Sequence, residues 1–72
     1  MKKDLITVAG SVTKILPNAM YRVLLKNTEK EILCYLCGKM SKRFVKLELA
    51  DNVQIEMSPI DLEKGRIMKR LT

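Results

Sequence analysis

Hydrophobic positions in this chain recur mostly at every second residue. From Leu5 to Ile15, the apolar Ile6, Val8 and Val12 fall on one side. Thr7, Ser11 and Thr13 fall on the other, the pattern of a half-buried strand. Gly10 interrupts the apolar side in mid-strand. A glycine there predicts a bulge or sharp bend, as in a strand that serves two sides of a small barrel; the plainer reading is close packing under a neighbour. Pro17-Asn18 marks a turn. Met20 to Lys26 alternates again, with Tyr21, Val23 and Leu25 opposite Arg22, Leu24 and Lys26. Asn27-Thr28-Glu29-Lys30 is a polar hairpin loop, and Glu31 to Cys37 a third strand. Ile32, Cys34 and Leu36 line one face of it, Leu33 and Tyr35 the other.

The period then changes. Between Gly38 and Leu47 the apolar Met40, Phe44 and Leu47 are spaced i, i+4, i+7. The basic Lys39, Lys42, Arg43 and Lys46 are spaced i, i+3, i+4, i+7. On a helix these sets form two stripes about 110° apart, one plugging the core and one purely cationic. Ala50-Asp51-Asn52 reads as a turn. Val53, Ile55 and Met57, alternating with Gln54 and Glu56, give a fourth strand. Ser58 to Gly65 reads as a single helical turn, with Ser58 at the N-cap, Pro59 at N1, Asp61 at N3 and Gly65 as terminator, or equally as an irregular loop. Arg66 to Leu71 is a fifth strand, Ile67 and Leu71 inward and Arg66, Met68 and Arg70 on the other face. Five short strands with one short helix between the third and fourth predict an all-β, OB-fold Greek-key barrel.

Size bounds the rest. Seventy-two residues make one domain, spanning 1–72, with a thin core and no room for a deep substrate cleft. No apolar run reaches a membrane span. The start resembles a signal peptide, but Leu5–Val12 is interrupted by Thr7, Gly10 and Ser11. A soluble, intracellular protein, monomeric when free and with no membrane partner, is expected. The net charge of +6 and pI near 9.6 favour a polyanionic partner. The charges are segregated: Lys39, Lys42, Arg43 and Lys46 form one cluster, Lys64, Arg66, Lys69 and Arg70 a second. Two cationic clusters on an OB-like barrel point to nucleic acid.

Only Tyr21, Tyr35 and Phe44 are aromatic. Tyr21 and Phe44 sit on apolar faces and read as core, which leaves Tyr35 as the best stacking candidate. So few rings argue against a general single-strand binder and for folded RNA met through phosphates and shape. Cys34 and Cys37 form a C-x-x-C that closes a strand rather than opening a helix. With no histidine in the chain a zinc site lacks ligands, so both cysteines read as small hydrophobes. No Gly-rich phosphate loop is present and no carboxylate pair shows a pocket. No enzyme activity and no cofactor are expected.

Longer words in the chain now matter. Gly10, then Leu16-Pro17-Asn18-Ala19-Met20-Tyr21-Arg22-Val23, then Gly38-Lys39-Met40, then Ser58-Pro59-Ile60-Asp61-Leu62-Glu63-Lys64-Gly65-Arg66-Ile67 resemble bacterial translation initiation factor one. The resemblance covers essentially the whole chain. It implies a single OB-fold (S1-like) RNA-binding domain without catalysis. It also implies binding to the small ribosomal subunit at the A site through 16S ribosomal RNA, alongside the two other initiation factors, in a bacterial cytoplasm or an organelle stroma. On these motifs Lys39, Met40, Lys42 and Lys46 fall in the RNA-contacting helical segment, Lys64 and Arg66 in the second block and Arg22 in the first. Arg43, Lys69 and Arg70 are added on charge and location.

The chain departs from the family pattern in places. Ser41 and Lys46 stand where arginine is usual, Tyr35 where histidine is usual and Ala50 where glycine is usual. The hairpin near Asn27–Glu31 is one residue longer. Arginine and lysine differ in bidentate recognition, so Arg43 is expected to compensate for Ser41. Three other readings compete: a cold-shock-like RNA chaperone, which calls for more exposed rings; a thiol-redox protein using Cys34 and Cys37; and a barrel that binds only proteins, for which the cationic clusters offer no motive.

Overall fold

The computed structural model describes residues 5–43 and 45–71. Alternating burial builds the strands: β1 (Ile6–Leu16), β2 (Met20–Leu25), β3 (Glu31–Leu36), β4 (Asn52–Ser58) and β5 (Asp61–Arg70), with α1 (Gly38–Lys42) between β3 and β4. They close in the order β1-β2-β3-β5-β4. The β3–β5 pair is parallel and the others antiparallel, so the expected five-stranded OB barrel is what the chain forms. Tyr21, Val23 and Leu25, Ile32, Cys34 and Leu36, and Val53, Ile55 and Met57 all point inward, joined by Val12 and Ile67. Each such aliphatic side chain contributes about 1.5–3 kcal/mol by leaving water. Phe44, expected in this core, lies outside the described residues.

Gly10 is where β1 changes partners. Residues Ile6–Ser11 pair with β4 and Gly10–Leu16 with β2, so Gly10 and Ser11 serve both neighbours. The bulge itself is not at Gly10. The register slips between Val12 and Lys14, which makes Thr13 the extra residue. Gly10 is required by close approach: a Cβ there would lie 2.5 Å from Val23 Cγ1 and 2.8 Å from the Leu24 carbonyl oxygen. Both readings of this glycine therefore hold in part.

Two segments correct the sequence-based expectation. Ser58 to Gly65 is not a helical turn but a hairpin, irregular in that its register with β4 slips between Glu56 and Ser58. Pro59-Ile60 is a hairpin tip, Ser58 pairs with Asp61, and β5 starts at Asp61. The residues expected to cap a helix close a turn instead: Ile60 N–H donates to Ser58 Oγ (3.2 Å) and Glu63 N–H to Asp61 Oδ1 (3.1 Å). In β5 a register slip between Gln54 and Ile55 leaves Met68 as the extra residue. Alternation flips there. Leu71 is therefore 48% exposed rather than inward, and Met68 packs against the core.

Ala50 has φ of 71°, a left-handed conformation, in a turn pinned to β1 by Ala50 N–H to Val12 O (2.8 Å). A Cβ there is strained. Ala50→Gly should raise stability by about 0.5 kcal/mol, the relief of strain exceeding the entropy glycine adds to the unfolded chain. A denaturant midpoint equal to or below that of the parent protein would contradict this.

Candidate nucleic-acid interface

α1 is shorter than its sequence period. It runs only from Gly38 to Lys42, with Arg43 as C-cap (φ −90°, ψ 3°), and residues 45–48 are not helical. Three causes act together. Lys39, Lys42, Arg43 and Lys46 would repel at i, i+3 and i+4. The first turn holds no acid to complement the dipole. A helix this short has little cooperativity to spare. The end is closed by the Met40 carbonyl, which accepts from both Arg43 N–H and Val45 N–H, each at 3.2 Å. The two stripes expected on one ten-residue helix are thus split. Met40 anchors α1 in the core, and Leu47 reaches the core from the loop, its N–H donating to Tyr21 Oη at 3.4 Å. Met40, counted among the RNA contacts on sequence, is only 7% exposed and holds the lysines in place from beneath.

Tertiary structure joins the two cationic clusters. β5 runs parallel to β3, and Cys37 N–H donates to Ile67 O (3.0 Å), so the end of β5 lies beside the start of α1. Arg70 Nη1 donates to the Lys46 carbonyl at 3.3 Å and lies 3.8 Å from Asp51 Oδ2, tying β5 to the loop after α1. Lys39, Lys42, Arg43, Lys46 and Lys69 are exposed and form no ion pair among the described residues.

The rest of the candidate cations occupy the outer face of β2, β3 and β5. Register places Lys14, Arg22, Leu33 and Lys64 in one row across four strands. Lys14 was missed on sequence, because only the bulge at Thr13 brings it opposite Arg22. The next row holds Met20, Tyr35, Arg66 and Glu56. Arg66 Nη2 donates to Glu56 Oε1 at 2.8 Å, which raises the guanidinium pKa further and fixes its direction. Arg66 is therefore a partly neutralised cation, whereas Lys64 forms no ion pair among the described residues. Tyr35 is 44% exposed, while Tyr21 is buried.

Cys34 and Cys37 are both buried and unbridged, and both join the core cluster. Burial pushes the Cys34 thiol from 9.0 up to about 12, against the smaller opposite pull of a hydrogen bond with the Gly65 backbone. A redox nucleophile needs the reverse shift. Because the folded-state pKa lies above the unfolded one, this thiol's contribution is fully present below pH 9.0 and lost as pH climbs towards about 12. From pH 8 to pH 10, the native protein should lose about 1.4 kcal/mol more stability than Cys34→Ala does. Urea midpoints of both proteins at the two pH values check this; parallel losses would refute it.

The whole chain, barrel and cationic surface together, falls within one known family. The family model described as Translation initiation factor 1A / IF-1 matches residues 1–72. The chain belongs to this family. It is 52% identical over 69 residues to the Translation initiation factor IF-1 of Rhodopseudomonas palustris, covering 96% of this chain and 74% of that one. Its structure resembles the solution structure of the translation initiation factor IF-1 from the Wolbachia endosymbiont of Brugia malayi. That match has a TM-score of 0.75 at 43% identity and covers 94% of this chain and 79% of that one. The barrel also resembles part of YjeQ from Thermotoga maritima (TM-score 0.73, 28% identity), spanning 93% of this chain but 23% of that one. The IF-1 family is one of initiation factors in translation, a non-enzymatic class, which fits a molecule whose notable surface chemistry is cationic.

Proposed function

We propose that this protein acts as one OB-fold RNA-binding domain that docks on the small ribosomal subunit at the A site. There it contacts 16S ribosomal RNA and assists initiation-complex assembly together with the two other initiation factors, in the cytoplasm. The observation that carries this reading is the junction at the end of β5. The Arg70 bond to the Lys46 carbonyl makes one cationic end out of two clusters distant in sequence. Lys39, Lys42, Arg43, Lys46 and Lys69 there, with Arg70 as clamp, offer phosphate contacts that set register without reading sequence. Arg22, Lys64 and Arg66 extend the cationic surface along β2, β3 and β5. A cold-shock-like chaperone is the weaker reading, because Tyr21 is buried and Tyr35 is the one exposed ring among the described residues.

The test is binding of labelled protein to purified small subunits across a salt series, with unstructured RNA as competitor. Saturable one-to-one binding that resists the competitor is expected. Equal binding to any RNA would support the chaperone instead. Arg43 is exposed at the C-cap of α1, two residues after the exposed Ser41. If it replaces the arginine usual at that position, Arg43→Ala should weaken subunit binding about tenfold, the order of one charge-assisted contact. Unchanged affinity in the same titration would remove Arg43 from the interface.

A further inference from the structure

We propose that the free edge of β1 from Thr13 to Leu16 is a strand-addition site for an extended, acidic segment of a partner protein, whose apolar side chains enter the mouth of the barrel. The inference does not depend on RNA binding. β4 pairs with β1 only over residues Ile6–Ser11. The turn before β4 then holds one more residue: Val12 N–H donates to Asp51 O at 2.9 Å, and Ala50 N–H donates to Val12 O at 2.8 Å. Beyond Val12, β1 pairs with β2 alone, and no described segment bonds its other edge. In an antiparallel pair only alternate residues bond a given neighbour. Between Thr13 and Leu16, the remaining backbone N–H and C=O groups therefore face away from β2 unpaired.

The space beside that edge is open. Residues 45–48 make no backbone bond to β1, although the same segment reaches it at Ala50. Between the two lies a depression of about 520 Å³, within the size range of pockets that hold ligands. Ile15 and Leu16 line it on one side, Val45, Lys46 and Leu47 on the other. Ile15 pairs with the buried Tyr21 and so belongs to the inward face, yet it is 51% exposed because the barrel mouth is open there.

Edge, mouth and charge together specify the occupant. The edge calls for extended backbone, bonded as one more strand. Side chains of an added strand alternate, so every second one enters the mouth beside Ile15 and the others stand beside Lys14. Lys14 pairs with Arg22 on the outer face, is exposed and has no ion-pair partner among the described residues. No carboxylate lines the depression among the described residues. The segment that fits therefore alternates apolar and acidic residues. A bulge and an edge lysine are devices that keep a strand from pairing indiscriminately. Thr13 and Lys14 are such devices here, and they make a carboxylate opposite Lys14 the condition for pairing. Nucleic acid matches neither the row of backbone groups nor the aliphatic walls, and Tyr21, the ring that lines the depression, is buried.

The test uses the full chain and a hexapeptide, blocked at both ends, that alternates valine and glutamate. A control peptide of the same composition has its glutamates grouped at one end. The alternating peptide is expected to bind saturably, to shift the backbone amide resonances of residues 13–16 and to slow their hydrogen exchange. The control should bind about tenfold more weakly. Two backbone-methylated forms of the alternating peptide separate strand addition from side-chain docking. Methyl groups on the amides that face β1 should abolish binding, and methyl groups on the others should leave it unchanged. Lys14→Glu should weaken binding about tenfold, and Ile15→Glu should abolish it. Both side chains are exposed, so circular dichroism melts should show both variants folded. Equal affinity for the two methylated forms, or for the alternating and control peptides, would overturn the site. So would an adenylate hexamer that shifts these amides where the peptide does not, which would assign the groove to RNA.

Discussion

Gly10→Ala is expected to cost about 3 kcal/mol, lowering the melting temperature by roughly 10–25 °C in a chain of this size. The new methyl group would sit 2.8 Å from the Leu24 carbonyl oxygen and 2.5 Å from Val23 Cγ1. Val23 is fully buried, so its side chain has nowhere to retreat. The carbonyl belongs to β2 at the place where β1 is hydrogen-bonded on both edges, so moving it strains two ladders. Gly65→Ala is expected to cost less, about 2 kcal/mol. Its Cβ would meet only side chains: Ile55 Cγ2 at 2.5 Å, Ile32 Cδ1 at 3.0 Å and Cys34 Sγ at 3.3 Å. Thermal unfolding followed by circular dichroism checks both, and a Gly10→Ala protein melting within two degrees of the native one, a margin far below about 4 °C per kcal/mol, would show that β1 yields there at no cost.

Neutralising Lys39, Lys42, Arg43 and Lys46 together with glutamine should have the largest effect on binding. The net charge falls from +6 to +2, since four positive charges are removed. If each side chain meets one phosphate, the slope of log affinity against log salt should drop by about three to four. Affinity at moderate salt should then fall by roughly a hundredfold or more. Stability should move the other way. The four cations lie close in sequence around a helix of five residues, and relieving their repulsion is worth about 0.2–0.5 kcal/mol per pair. Weaker binding with an equal or higher melting temperature separates a lost interface from a lost fold. An unchanged salt slope would move the ribosome-facing surface away from α1.

Much of the barrel was legible because alternation with period two survives wherever one face of a strand is buried. The inward sets of β2, β3 and β4 follow from that rule alone, and so does the burial of Cys34; Cys37, three residues on and past the end of β3, owes its burial to its place at the start of α1. Reading failed where a strand carries an extra residue or where charge overrides period. The slip at Met68 reversed the faces of everything after it, so Leu71 was expected inward and Met68 outward. The words around Ser58 and Pro59 fit a helix start and a hairpin tip equally, because both use side-chain oxygens to accept backbone N–H groups. On α1 the apolar period continued to Leu47, but repulsion among the lysines ended the helix at Lys42.

The site divides along the same line. Residue types and spacing determined that the chain is cationic, that its charges come in two clusters, and which lysines and arginines compose them. These are properties of local sequence, set by side-chain chemistry before any contact forms. Only the tertiary structure decided that the clusters meet, because the parallel β3–β5 pairing and the Arg70 bond to Lys46 are long-range contacts with no local signature. It also decided that Met40 is an anchor, that Lys14 joins the row with Arg22 and Lys64, and that Glu56 engages Arg66 while Lys64 keeps its charge exposed. Each of these depends on register, and in a closed barrel register is fixed by bulges and close approaches that a single residue can shift.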